Sequence, residues 1–195
     1  MHLPQIVRQK AATRSLMLAA SIFFVSLVLG TLIGRNTIEE LMNELGGLLT
    51  PLAPTGNLSI LLFFLIFINN AIKALMLVVL GVLLGIPTIL SIGLNGFIVG
   101  GLGSLLAADN GWIYAVAGLA PHGVIEIPVM LLAAVLGLAI GVESFKWLSR
   151  TESHVKLRLL DSLKVYLRWV LPGLAAAAII EVLVTPRLIG LANGG

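Results

Sequence analysis

From Leu58 to Ala107 the chain runs fifty residues with a single charge, Lys73. As one helix this stretch would be about 75 Å long at roughly 1.5 Å per residue, more than twice the roughly 30 Å hydrocarbon core of a bilayer. It therefore has to cross a membrane twice, and Gly81, Gly85 and Pro87 mark where it turns. Composition agrees, with 58% hydrophobic and 11% charged residues and a mean hydropathy of +1.08. An ordinary soluble domain carries about 45–50% apolar and about 25% charged residues, so a soluble globular fold is excluded. Aromatics make up only 6% while there are 21 glycines, the composition of helices that pack closely in lipid. The absence of cysteine excludes a disulfide framework, a thiolate nucleophile and a zinc–thiolate or iron–sulfur centre.

The same reasoning places the remaining spans of a single membrane domain, residues 1–195. Residues 15–34 form a first span; the lack of a small-x-small cleavage site near Leu29 favours an anchor over a cleaved signal peptide. Spans follow at 58–80 and 88–107, then at 112–141, which Pro121 is expected to break by starting a fresh helix, and at 170–190. Residues 35–57 read as an acidic loop with one short helical stretch. Residues 142–169 alternate basic side chains with Phe145, Trp147, Tyr166 and Trp169, and read as an interfacial amphipathic helix on an anionic leaflet. The expected fold is thus all-α: a polytopic transmembrane bundle of about five spans with one broken helix.

A net charge of +3 and a pI near 9.6 do not point to nucleic acid, because the charges lie outside the apolar runs. Under the five-span scheme nine Lys and Arg fall on the side of the N-terminus and two, Arg35 and Arg187, on the other. That asymmetry predicts a cytoplasmic N-terminus and an external C-terminus.

Within the spans stand Asn69, Asn70, Lys73, Asn95, His122, Glu126 and Glu181. An ionisable side chain at mid-depth costs roughly 2.5–3.5 kcal/mol, so such groups have to be paired, protonated, hydrated or metal-bound. His122 and Glu126 are four apart and share a helix face, as do Asn69 and Lys73. If their helices meet that of Glu181, the groups form one polar centre, and His122, Glu126 and Glu181 together could hold a divalent cation. Three readings stay open: structural hydrogen-bond glue, an ion or proton pathway, and a metal-dependent acid–base site.

Catalytic motifs give nothing firmer, and no catalytic residue is assigned. Gly81 to Thr88 has the spacing of a phosphate loop without its lysine, and Ser104 lacks the glycine that an intramembrane serine protease motif would place after it. Glycines four apart recur at Gly30/Gly34, Gly81/Gly85, Gly96/Gly100 and Gly137/Gly141, which suggests close helix packing and a homo-oligomer.

Three strings in order resemble the stage II sporulation protein M family: the segment from Asn69 to Gly100 with its NN, GVLLGIPT and LNGFIVG, then PHGVIEIP at 121–128, and AAAAIIEVLVTP at 175–186. The resemblance covers roughly residues 58–190; Val129 stands where the family often has alanine. It implies a multi-pass helical plasma-membrane protein and, from the namesake, a membrane anchor for peptidoglycan-remodelling partners. Two function classes follow. One is a scaffold for membrane or cell-envelope proteins, docking through the acidic loop or the basic segment. The other is a transporter or channel for an ion or small solute with a midplane site, and an intramembrane metal-dependent enzyme stands behind both.

Overall fold

A computed structural model describes residues 5–49 and 58–192, with the backbone alone at 5–9, 42, 44–49, 58, 59, 122 and 192. The described chain is helical throughout, without strands. Helix α1 (Gln5–Ile33) is followed by α2 (Arg35–Leu49) and α3 (Leu58–Val79); a short 3₁₀ turn at Leu80–Val82 then leads to α4 (Ile86–Asn110). Next come α5 (Trp112–Leu148), α6 (Val155–Val165), a π-helical turn at Tyr166–Val170, α7 (Leu171–Leu183) and α8 (Thr185–Ala192). Among the described residues, five stretches are long and apolar enough to cross a membrane: Lys10–Ile33, Ile60–Val82, Ile86–Asn110, Gly123–Leu148 and Val155–Leu191.

The turn between α3 and α4 falls where glycine and proline predict it. Gly85 adopts φ 74°, open to a residue without Cβ, and Pro87 sits in the first turn of α4, where its missing N–H costs nothing. Leu84 is also left-handed at φ 59°, a conformation strained for a side chain of its size. Thr88 Oγ1 donates to the carbonyl of Leu77 at 2.8 Å and staples the two helices together just before the turn.

Glycine sets the helix packing. The most extensive helix pair is α1 with α4, which run parallel: Gly93 meets Ile22, Gly96 meets the backbone of Phe23, and Gly100 that of Leu27 and Thr31. Gly30 returns the contact against Phe97, and Thr31 Oγ1 donates to both Leu27 O (2.9 Å) and Gly100 O (3.4 Å). On the other side Gly137 lies against Gly81 and Leu77, and Gly141 against Gly85. All four glycine pairs are therefore engaged within the chain, so they do not supply the free face on which the expected oligomer was argued. Small side chains complete the core, with Ala19, Ala71, Ala74, Ala133 and Ala134 buried around Phe23, Leu77, Ile92 and Met130.

Three expectations change in detail. First, α5 is not restarted at Pro121: one helix runs from Trp112 to Leu148 through both Pro121 and Pro128. Each proline frees one carbonyl, of Ala117 and Val124, a defect tolerated where neighbouring helices cover it. Second, the amphipathic stretch is not one interfacial helix. Residues up to Leu148 extend α5, a turn follows, and α6 runs on through the π turn into the last span. Its Ser162, Tyr166 and Val170, four apart, are buried, and the Tyr166 hydroxyl donates to Ala71 O at 2.8 Å. Third, the last span is interrupted at Val184, because Pro186 has no N–H to give Val182 and the Arg187 N–H turns to Val184 O.

Candidate functional site

Among the described side chains, the polar residues of the spans fall into two hydrogen-bonded pairs on the inner faces and two residues on an outer face. On α3 the buried residue is Asn70, at 7% exposure, whereas Asn69 and Lys73 are exposed on the outer face. Asn70 Nδ2 donates to Glu126 Oε2 on α5 at 2.9 Å, and Asn69 Nδ2 reaches Asn70 Oδ1 at 3.5 Å. Asn95 is half-buried on α4.

Glu181 has a different partner. Thr185 Oγ1 donates to Glu181 Oε2 at 3.0 Å, bridging the interruption between α7 and α8. Gly173 packs on Val129 and Ile189 on Gly118, so in the antiparallel register of α5 and α7 Glu181 falls between them, near the level of residues 123–124. Glu126 lies within one turn of that level along α5. The structure thus pairs Asn70 with Glu126 and Glu181 with Thr185, at neighbouring depths. The side chain of His122 lies outside the described residues, and among the described residues no three His, Asp or Glu form a group able to hold a metal.

Two further features escape a reading by motif. At the basic end Glu143 accepts from Lys146 Nζ at 2.6 Å and from the backbone N–H of His154, the N-cap of α6, at 2.9 Å. A carboxylate at a helix N-terminus complements the orphan N–H groups there, so Glu143 ties the α5–α6 hairpin together. At the opposite end Arg35 and Asp109 approach to 3.8 Å, joining the start of α2 to the end of α4.

The outer half of α5 forms a ridge between two apolar grooves. Trp112, Val116, Ala120 and Val124, spaced four apart, border both. One groove, of about 760 Å³, is closed on its far side by Leu188 and Leu191 of α8. The other, of about 330 Å³, is floored by Val99 and Gly103 of α4.

A Methanocaldococcus jannaschii protein described as uncharacterized is 32% identical over 129 residues, covering 62% of this chain and 70% of its own length. No solved structure matches. The profile of stage II sporulation protein M matches residues 16–186, from the first span to the end of the last string singled out above, and the chain belongs to that family.

Proposed function

We propose that the protein is a membrane scaffold in the plasma membrane, with its N-terminus cytoplasmic, that docks a transmembrane helix of a partner protein on the outer half of α5. The observation that carries this reading is the ridge of Trp112, Val116, Ala120 and Val124 between two grooves. Ala117, Ala120, Gly103 and Gly123 along them leave room for a second backbone, and small residues are what lets helices associate in lipid, where apolar area alone gives no driving force. The scaffold itself is held by backbone-to-backbone glycine contacts, which suit a platform better than a moving part. At the same end of the bundle, exposed Glu39 and Glu40 of α2 offer an acidic surface to envelope partners.

A photo-crosslinking residue at Val116 tests the reading in native membranes. It should give one discrete protein adduct, lost when Ala120→Trp fills the grooves and kept in Glu126→Gln and Glu181→Gln. Adducts to lipid alone, together with loss of the deletion-strain complementation in the two glutamate variants, would sink it.

That second outcome belongs to an alternative reading, an ion or small-solute path. It is supported by Glu126 on Asn70 and by Glu181 at a helix interruption, the kind of backbone that lines midplane sites in transporters.

A further inference from the structure

The basic end of the bundle is stepped. Gly141 packs on Gly85, so residues 142–148 carry α5 about 10 Å past the α3–α4 turn at roughly 1.5 Å per residue. In α1, Ile22 lies against Gly93 in parallel register, which puts Ser15 near the level of the turn. The helix begins at Gln5, so its first turns project about 15 Å beyond. Residues 10–14 are all exposed, as expected of a projecting segment. The turn is thus the floor of a recess, walled by the start of α1 and by the α5–α6 hairpin.

Floor and walls differ in chemistry. The floor is apolar and open: Val82, Leu83, Leu84 and Ile86 are 39, 59, 40 and 55% exposed, where a turn in water would be polar. The walls, residues 10–14 and 142–158, hold six basic and two acidic side chains. Both acids are engaged locally: Glu143 with Lys146, and Glu152 with His154 at 3.4 Å. Lys10, Arg14, Arg150 and Lys156 are exposed, and Arg158 partly so. Phe145 and Trp147 stand outward beside them at 62 and 69% exposure, as side chains of a membrane interface do.

The step matches a bilayer. A headgroup layer is roughly 5–8 Å deep on each side of the hydrocarbon. With the apolar turn at the hydrocarbon boundary, the walls pass through the headgroups and carry their charges at phosphate level. We propose that this recess is a binding site for anionic phospholipid, whose acyl chains lie on the leucine floor and whose phosphate is held between Lys10 and Arg14 on one side and Arg150, Lys156 and Arg158 on the other. Charge complementarity selects the occupant, and the apolar floor selects a lipid over a free phosphate. The site is separate from the α5 ridge, so neither proposal depends on the other.

Native mass spectrometry of the whole protein in detergent, titrated with phosphatidylglycerol or phosphatidylcholine, tests it. The parent should retain one or two phosphatidylglycerol molecules in a saturable series, in preference to phosphatidylcholine. A basic side chain near an anionic surface is worth roughly fivefold in affinity, so Arg150→Gln/Lys156→Gln/Arg158→Gln should weaken phosphatidylglycerol binding by roughly 100-fold and leave phosphatidylcholine unchanged. Lys10→Gln/Arg14→Gln, on the opposite wall, should weaken it by roughly 25-fold and serves if the triple variant does not fold. The proposal is overturned if preference is absent, if it spreads over many lipids without saturation, or if neither wall variant alters it. It is equally overturned if glycerol phosphate without acyl chains binds as tightly, or if an acidic amphipathic peptide is held while phosphatidylglycerol is not.

Discussion

Replacing Gly137 with alanine probes the contact that fixes α5 against the α3–α4 hairpin. A Cβ built there falls inside the carbonyl oxygen of Leu77 and lies 2.7 Å from Thr88 Oγ1, the hydroxyl that staples the two helices. Non-bonded atoms settle at roughly 3.5–4.0 Å, so α5 would have to retreat by about 1 Å along a face where Gly81, Gly85 and Gly141 also touch backbone to backbone. Overpacking of this kind costs about 1–3 kcal/mol, and a disturbed Thr88 bond adds about 0.6 kcal/mol, a typical value inside a membrane. The helix-propensity gain of alanine, at most about 1 kcal/mol, offsets little, because the helices stay folded when a bundle comes apart in detergent. We expect Gly137→Ala to destabilise by about 2–3 kcal/mol, read as a shift in the midpoint of unfolding by sodium dodecyl sulfate. Gly190→Ala is the control, since a Cβ there meets nothing within 4 Å, and it should stay within about 0.5 kcal/mol of the parent. Equal midpoints for the parent and Gly137→Ala, or equal losses in the two variants, would refute the packing argument.

Tyr166→Phe removes the hydroxyl that donates to Ala71 O and should cost about 0.6–1.7 kcal/mol in the same titration; an unchanged midpoint counts against that bond. Ser144 Oγ is buried without a hydrogen-bond partner, so Ser144→Ala should raise stability by about 1 kcal/mol, and a clear loss would show that the hydroxyl is satisfied in the membrane. Cysteines placed at Asn43 and Ser153 in this cysteine-free chain should react with an impermeant reagent on intact cells only at Asn43; labelling at Ser153 overturns the sidedness.

Span positions and the α3–α4 turn were legible because chain length, charge and the glycine–proline pattern constrain them almost without reference to tertiary contacts. The site was harder. Spacing pairs Asn69 with Lys73, yet both point outward, while the buried face of α3 reads Asn70, Ala71, Ala74, Leu77 and Val78. The signal for that face lay in the alanines, which mark where another helix comes close, and not in the polar residues themselves. Tyr166 was hidden by its neighbours: Lys164, Arg168 and Trp169 suggest an interface, whereas Ser162, Tyr166 and Val170, four apart, share one buried face of α6 and the π turn. The Thr185 bond to Glu181 was visible as a pair four apart. The break in between needed Pro186 to be read as an interruption of the span and not its end.

The parallel pairing of α1 with α4 also bears on how the molecule is made. Ile22 and its partner Gly93 are about 70 residues apart, which at 5–20 residues per second means that α1 leaves the ribosome roughly 4–14 s before α4 can meet it. Through that interval α1 sits in the bilayer by itself, with Gly30, Thr31 and Gly34 turned to lipid. Only afterwards does α4 bring the glycine notches that receive Phe23 and Leu27. Helices that insert first and associate second need no covalent link to find each other. A first span expressed as a separate polypeptide should therefore assemble with the remaining four into a complex that co-purifies, making α1 a subunit that happens to be tethered.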